Sequence, residues 1–168
     1  MFSLGLYHAV AVIELSTEIH TPVDRVFDLS RSVDLHVAST AHTGERAVAG
    51  VTSGLMELGQ EVTWRARHFG IWQHLPSRIT AFDRPAHFRD SLVRGIFRRF
   101  DHDHFFAAAG SGTVMRDVFD FQSPLGILGR FADRLFLVRY MTHLLATRNT
   151  LIKTVAESDQ WQRYVQKA

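Results

Sequence analysis

The sequence contains no cysteine, which excludes disulfides, thiolate metal centres and cysteine nucleophiles together. Neither sign of charge dominates: 19 basic against 17 acidic side chains leave a formal charge of +2. Only two of the basic residues, Lys153 and Lys167, are lysine. So balanced a chain is not built as a nucleic-acid surface, and the cluster Arg94, Arg98 and Arg99 reads as a solvated patch. No apolar run reaches the roughly 18 residues that a spanning helix needs. The opening MFSLGLYHAVAVI carries no basic leader and no small-residue cleavage pattern, so a cytoplasmic protein without a membrane span is expected. Internal repeats, low-complexity tracts and charged linkers are also missing, which leaves one domain over residues 1–168, with 1–10 and 158–168 peripheral. There is no nucleophile elbow, phosphate-cradling glycine loop, HExxH or dinucleotide fingerprint. No metal and no cofactor is assigned.

What the chain does have is apolar bulk: 46% hydrophobic residues, 13 of them phenylalanine, enough for a substantial core. Residues 10–20 alternate, with Ile13, Leu15, Thr17 and Ile19 on one face, as in a half-buried strand. Thr21-Pro22-Val23-Asp24 then predicts a helix, with Thr21 as cap, Pro22 in the first turn and Asp24 at the positive end of the dipole. Residues 33–50 read as a second short helix and a loop. From there to Ser123 the pattern is β. Gly59-Gln60 turns into a strand from Glu61 to Phe69 with Val62, Trp64, Ala66 and His68 on one face. Further strands follow over 73–82, Phe88 to Val93, Ile96 to Phe106 and Thr113 to Gln122. Beyond Pro124 the period becomes helical: Leu137, Met141, Leu144, Leu145, Leu151, Ile152 and Val155 mark one long amphipathic helix that frays near Ser158-Asp159. One long helix with so many antiparallel strands requires the sheet to curl around it.

This order resembles the SRPBCC superfamily, the group of START domains, polyketide cyclase/dehydratases and birch-pollen-allergen-like proteins. The phrases that carry the resemblance are Ile19-His20-Thr21-Pro22-Val23-Asp24-Arg25-Val26-Phe27, Ser53-Gly54-Leu55, Phe69-Gly70, Gly112-Thr113-Val114-Met115 and Ser123-Pro124-Leu125-Gly126. Together they cover roughly residues 11–155. The resemblance implies an α+β helix-grip fold: a curved antiparallel sheet around a long C-terminal helix, two short helices after the first strand, and a cavity between sheet and helix. A fold shared by so many functions implies a cavity and no particular reaction.

The most chemically loaded heptad is FDHDHFF, residues 100–106. In a strand its polar groups divide between two faces. Aspartates need water more than neutral imidazoles do, so Phe100, His102, His104 and Phe106 should face in, and Asp101 and Asp103 out. On the next strand, Met115, Asp117, Phe119 and Phe121 form the more apolar face. Pairing then sets Asp117 opposite or diagonal to His102 and His104, with Arg116 meeting Asp103 outside. A carboxylate beside two imidazoles fits an acid–base unit, a His-His-Asp metal site, or a polar wall that orients a ligand, the last being the ordinary role of such clusters. His102, His104 and Asp117 are therefore the candidate catalytic residues. Trp64, His68, Asp90, Phe100, Phe106, Phe119, Leu137, Met141 and Leu145 are the candidate ligand-binding residues, Asp90 needing a histidine or arginine partner. Glu57 reads as a solvated hairpin residue, and His36, His42 and Glu45 as contacts at the cavity mouth.

The expected partner is a hydrophobic or lipid-like small molecule. Three functions stay open: a carrier, a cyclase-, dehydratase- or hydrolase-type enzyme with a His–Asp base, and a docking module around Arg94–Arg99 with a collapsed interior. The oligomeric state is not legible.

Overall fold

The computed structural model describes residues 11–68, 70–122 and 136–165. Residues 1–10, Phe69, 123–135 and 166–168 lie outside them, and with them the Ser123–Gly126 phrase and the stretch expected to open the long helix. Strand β1, Ala11–Ile19, leads into helices α1, Val23–Ser30, and α2, Val33–Ser39. Six strands follow: β2, Arg46–Gly50; β3, Glu61–His68; β4, Ile71–Asp83; β5, His87–Leu92; β6, Arg99–Ala109; and β7, Gly112–Gln122. The long helix α3 is described over Val138–Ala156 and is followed by a short 3₁₀ turn, Asp159–Arg163. All seven strands form one antiparallel sheet in the order β1–β7–β6–β5–β4–β3–β2. The expected helix-grip architecture is present.

Local departures from the sequence reading have physical causes. Thr21 does not cap α1: Pro22 occupies the cap, and the buried Thr21 hydroxyl makes no hydrogen bond. Its backbone carbonyl instead accepts from the Thr113 hydroxyl of β7 at 2.7 Å, which ties the strand-to-helix corner to the sheet. The supposed loop in 33–50 contains β2, an edge strand that is almost wholly exposed and bulged between Ala47 and Ala49. With no buried face it has no apolar alternation to read. The strand expected from Ile96 begins at Arg99, and that expected over 73–82 runs from Ile71 to Asp83.

Helix α3 and the concave face of the sheet enclose two apolar clusters. One gathers Phe27, Leu29, Leu35, Phe88, Phe106, Met115 and Ile152 under α1 and α2. The other gathers Ile13, Phe100, Phe119, Phe121 and Leu145 near the start of α3. Between them runs a polar layer. Reading along β6, Phe100 belongs to one cluster, His102 and His104 to the layer, and Phe106 to the other. Along β7 the same order is Phe119, Asp117, Met115, and along α3 it is Leu145, Arg148 with Asn149, Ile152. Gly112 is needed where β7 starts, because a Cβ there would sit 2.6 Å from the Ile19 carbonyl oxygen of β1.

The first cluster turns on Phe27, which is fully buried and meets Phe82, Phe88 and Phe106 edge-on at 5.4, 5.5 and 5.3 Å. Replacing Phe27 by alanine is expected to cost about 3–5 kcal/mol, measured as the change in urea unfolding free energy.

Candidate functional site

The polar layer is organised by Asp117, whose side chain has no solvent exposure. The β6–β7 register sets it directly opposite His104 and diagonal to His102. His102 Nε2 lies 2.9 Å from Asp117 Oδ1, and Asn149 Nδ2 donates to Oδ2 at 2.7 Å. Arg148 Nη1 approaches Oδ1 at 3.5 Å while its Nη2 donates to the Ser30 carbonyl at 2.8 Å. Burial alone would raise the Asp117 carboxyl pKa, but contact with His102 and His104 outweighs it and holds the group well below the usual carboxylate range. An ionised carboxylate only accepts, so His102 must donate from Nε2, which leaves Nδ1 as its lone-pair nitrogen.

A second carboxylate closes the layer from the other side. Asp90 of β5 pairs with His102 in register and points inward beside Phe88. Its Oδ2 lies 3.0 Å from His104 Nε2 and 3.8 Å from His102 Nδ1. Burial pushes the Asp90 pKa up, and the His104 hydrogen bond with the His102 charge brings it below its ordinary value. His102 is shifted down by burial, then by the His104 charge, against the pull of both carboxylates. The two imidazoles lie 3.8 Å apart between centroids with their planes tilted by 41°.

A cavity of about 350 Å³ opens from this layer toward the start of α3. Phe100, Phe119, Leu137, Met141 and Leu145 form its apolar wall, and Trp64, His68, Asp90 and His102 also line it. A smaller cavity of about 100 Å³ adjoins it under α1 and α2 and also touches Asp90 and His102, together with His104. Two expected residues sit elsewhere. Phe106 packs against Phe27 and Phe88 in the core under α1, because the polar layer lies between it and the cavity. Asp117 lines neither cavity: it stands behind the histidines and orients them.

The residues expected at the cavity mouth form a second group. His36 Nε2 lies 2.6 Å from Glu45 Oε1, and the His36 ring covers Trp64 at 4.1 Å between centroids. Burial raises the Glu45 pKa, and the His36 charge and hydrogen bond outweigh it, leaving the carboxyl below its ordinary value. His68 Nδ1 lies 2.7 Å from the Tyr140 hydroxyl of α3, and burial lowers the His68 pKa. His42 is exposed. Glu57 is half exposed beside the turn, as a solvated hairpin residue should be, and also pairs with the buried Arg31 at 2.8 Å.

Outside, Asp103 does not meet Arg116. It is buried under a two-pronged contact from Arg89, both at 2.8 Å, with His87 at 2.7 Å. Arg116 covers the Phe105 ring and approaches Glu14 instead. Arg148, Asn149 and Tyr140 were not candidates from sequence. Arg148 and Asn149 follow Leu145 at spacings of three and four and precede Ile152, so they interrupt the buried stripe of α3 with polar groups. That interruption was the available signal.

The sign of the pH dependence follows from these shifts. His68 and His102 sit below their ordinary value of 6.5, so the unfolded chain takes up protons first as pH falls and the fold loses stability below that point. Asp90, Asp117 and Glu45 are depressed, so their contribution is held above the ordinary carboxylate range and lost as pH falls through their folded values. Urea midpoints should therefore drop between pH 7 and pH 5, and drop less in the His68→Gln/His102→Gln double variant.

No protein-family model matches the sequence, and no curated protein matches it. Solved structures do. TTHA0849 from Thermus thermophilus superposes with a TM-score of 0.67 at 15% identity, covering 87% of this chain and 99% of that one. Ginseng major latex-like protein 151 from Panax ginseng gives 0.64 at 14% identity, covering 89% and 99%. The di-domain ARO/CYC StfQ from the steffimycin biosynthetic pathway gives 0.69 at 15% identity, covering 88% of this chain and 51% of that chain. Identities this low speak for architecture alone, and on that ground the chain has the helix-grip fold.

Proposed function

We propose that this protein binds a hydrophobic or amphipathic small molecule in the cavity between the sheet and α3. The observation that carries the reading is the cavity itself: about 350 Å³, walled by phenylalanine, leucine and methionine, and ending on a polar group set that includes His102 and Asp90. That is the usual composition of a small-molecule site, an apolar enclosure with a few convergent polar anchors. An open interior is the opposite of what a docking module with a collapsed cavity requires. The apolar body of the ligand would lie against Phe100, Phe119 and Met141, and a polar head would meet His102 at the inner end. His68, joined to the Tyr140 hydroxyl, would give the molecule a second polar contact on the cavity wall.

One observation favours a catalytic reading as the alternative. His102 faces the cavity, and its Nε2 is anchored on a fully buried carboxylate, which turns the Nδ1 lone pair toward the cavity side. An imidazole fixed in one tautomer by a buried aspartate is the arrangement of a general base, suited to proton abstraction in a cyclase-, dehydratase- or hydrolase-type reaction. The aromatase/cyclase StfQ shares the fold and lends this alternative no residue-level support.

Two measurements separate the readings. Thermal shift across a panel of fatty acids, sterols, quinones and polyketides should raise the Tm for at least one class, and Met141→Trp, which fills the cavity, should remove that shift. Failure of every class to stabilise the unmodified protein would refute the binding reading. Where a stabilising molecule is also turned over, His102→Gln should abolish turnover and leave the thermal shift within a few-fold in ligand concentration. Equal loss of both would return the site to a carrier.

A further inference from the structure

We propose that Asp90, His102 and His104 bind one divalent transition-metal ion, Zn²⁺ being the probe of choice, through Asp90 Oδ2, His102 Nδ1 and His104 Nε2. These three residues offer ligand atoms that all lie within 4.8 Å of one another. Asp90 Oδ2 stands 3.0 Å from His104 Nε2 and 3.8 Å from His102 Nδ1. Neighbouring ligands around a tetrahedral ion with bonds of about 2.0–2.1 Å are separated by roughly 3.3 Å. The spacing already brackets that value, so small rotations of the two rings would suffice. The site draws on two adjacent strands, β5 and β6, and Asp90 and His102 open onto the large cavity, which would supply the remaining coordination positions.

The other ring nitrogens strengthen the case. Histidines that hold a metal commonly donate their second N–H to a carboxylate. Here His102 Nε2 lies 2.9 Å from Asp117 Oδ1, and His104 Nδ1 lies 2.9 Å from the same oxygen. His104 donates from Nε2 to Asp90, and its buried Nδ1 makes no hydrogen bond although it lies close to Asp117 Oδ1, because the two are not aligned. A metal on Nε2 would move the ring proton to Nδ1, and the same small ring rotation that seats the ion would have to bring that N–H into line with the ionised oxygen.

The charges also allow it. Asp117 is offset by Arg148, whose guanidinium is held at the Ser30 carbonyl. Within 4 Å Asp90 has ion-pair contacts only from the two imidazoles among the described residues, with the Arg148 charge acting on it from further off, and so it is the carboxylate nearer to hand for a cation. The expected third partner of a His-His site was Asp117; the geometry gives that place to Asp90 and makes Asp117 the group that orients both rings. A metal and a general base would compete for the same His102 Nδ1 lone pair.

The test uses the full chain, stripped with chelator and titrated calorimetrically with Zn²⁺ alone, in the absence of any organic ligand. One saturable site per chain is expected, and Co²⁺ substitution should give the intense ligand-field absorption of a four-coordinate N/O centre. Asp90→Asn and His102→Gln should each weaken Zn²⁺ binding at least tenfold, with circular dichroism confirming the fold. His74→Gln, on an exposed residue of β4, should leave it unchanged. Absence of saturable binding would overturn the proposal, and so would full-strength binding in folded Asp90→Asn. Should His102→Gln not fold, Asp90→Asn decides alone, because its side chain is 24% exposed and an amide fits its place. The outcome is independent of whether the cavity takes a hydrophobic molecule.

Discussion

A carboxylate with no access to water must be satisfied entirely by the protein, and Asp117 imposes that condition on four elements at once. Its own strand β7 places it, β6 supplies His102 and His104, and α3 supplies Arg148 and Asn149. β1 joins through Thr17, whose hydroxyl accepts from Asn149. Leaving out the His102 or Asn149 donor would under-satisfy a charge in the interior, at a cost well above that of an ordinary lost hydrogen bond. The sheet and the long helix are consequently held in one relative position by a specific set of contacts as well as by apolar packing. Hydrophobic burial brings α3 onto the sheet; the Asp117 contacts fix which turn of α3 lies over which residue.

The same layer explains why the interior is divided. A helix and a curved sheet joined only by apolar side chains would tend to close over any void between them. Here the polar layer must keep its geometry, so the apolar residues on either side pack as two separate groups. The group under α1 and α2 is dense with stacked and edge-on phenylalanines. On the other side, Phe100 and Phe119 line open space in which His102 and Asp90 are accessible. The cavity and its polar end therefore have one structural origin.

Much of this was legible in the sequence because strand chemistry is strict. The two-residue period of FDHDHFF leaves no choice about which groups share a face, and the Met115-Asp117-Phe119-Phe121 alternation names the opposite wall. The inward turn of Asp90 followed from the same rule. What escaped depended on distance rather than period. Phe106 obeys the pattern and faces in, but which side of the polar layer it occupies is decided by where α1 lands. Asp103 was expected to need water, yet Arg89 and His87 satisfy it under cover. β2 left no mark because both its faces are exposed. Arg148 and Asn149 did leave one, as polar residues in an apolar stripe, and it becomes meaningful only once a buried carboxylate is known to wait opposite.

The strand order carries a consequence for how the chain reaches this state. β1, the first described strand, is hydrogen-bonded along its length to β7, in pairs that run from Ala11 with Phe121 to Ile19 with Thr113. Every other neighbour in the sheet is also a neighbour in sequence. The meander from β2 to β7 can thus form by successive local hairpins, whereas β1 must remain unpaired until β7 exists. On a ribosome, that half-apolar strand emerges ahead of β2 to β6 and waits with its edge exposed until β7 follows. Closing it is a long-range step with a large loop-closure entropy, so the docking of β1, along with α3 across it, is where folding should be slowest and where an incomplete chain would be most prone to pair with another copy.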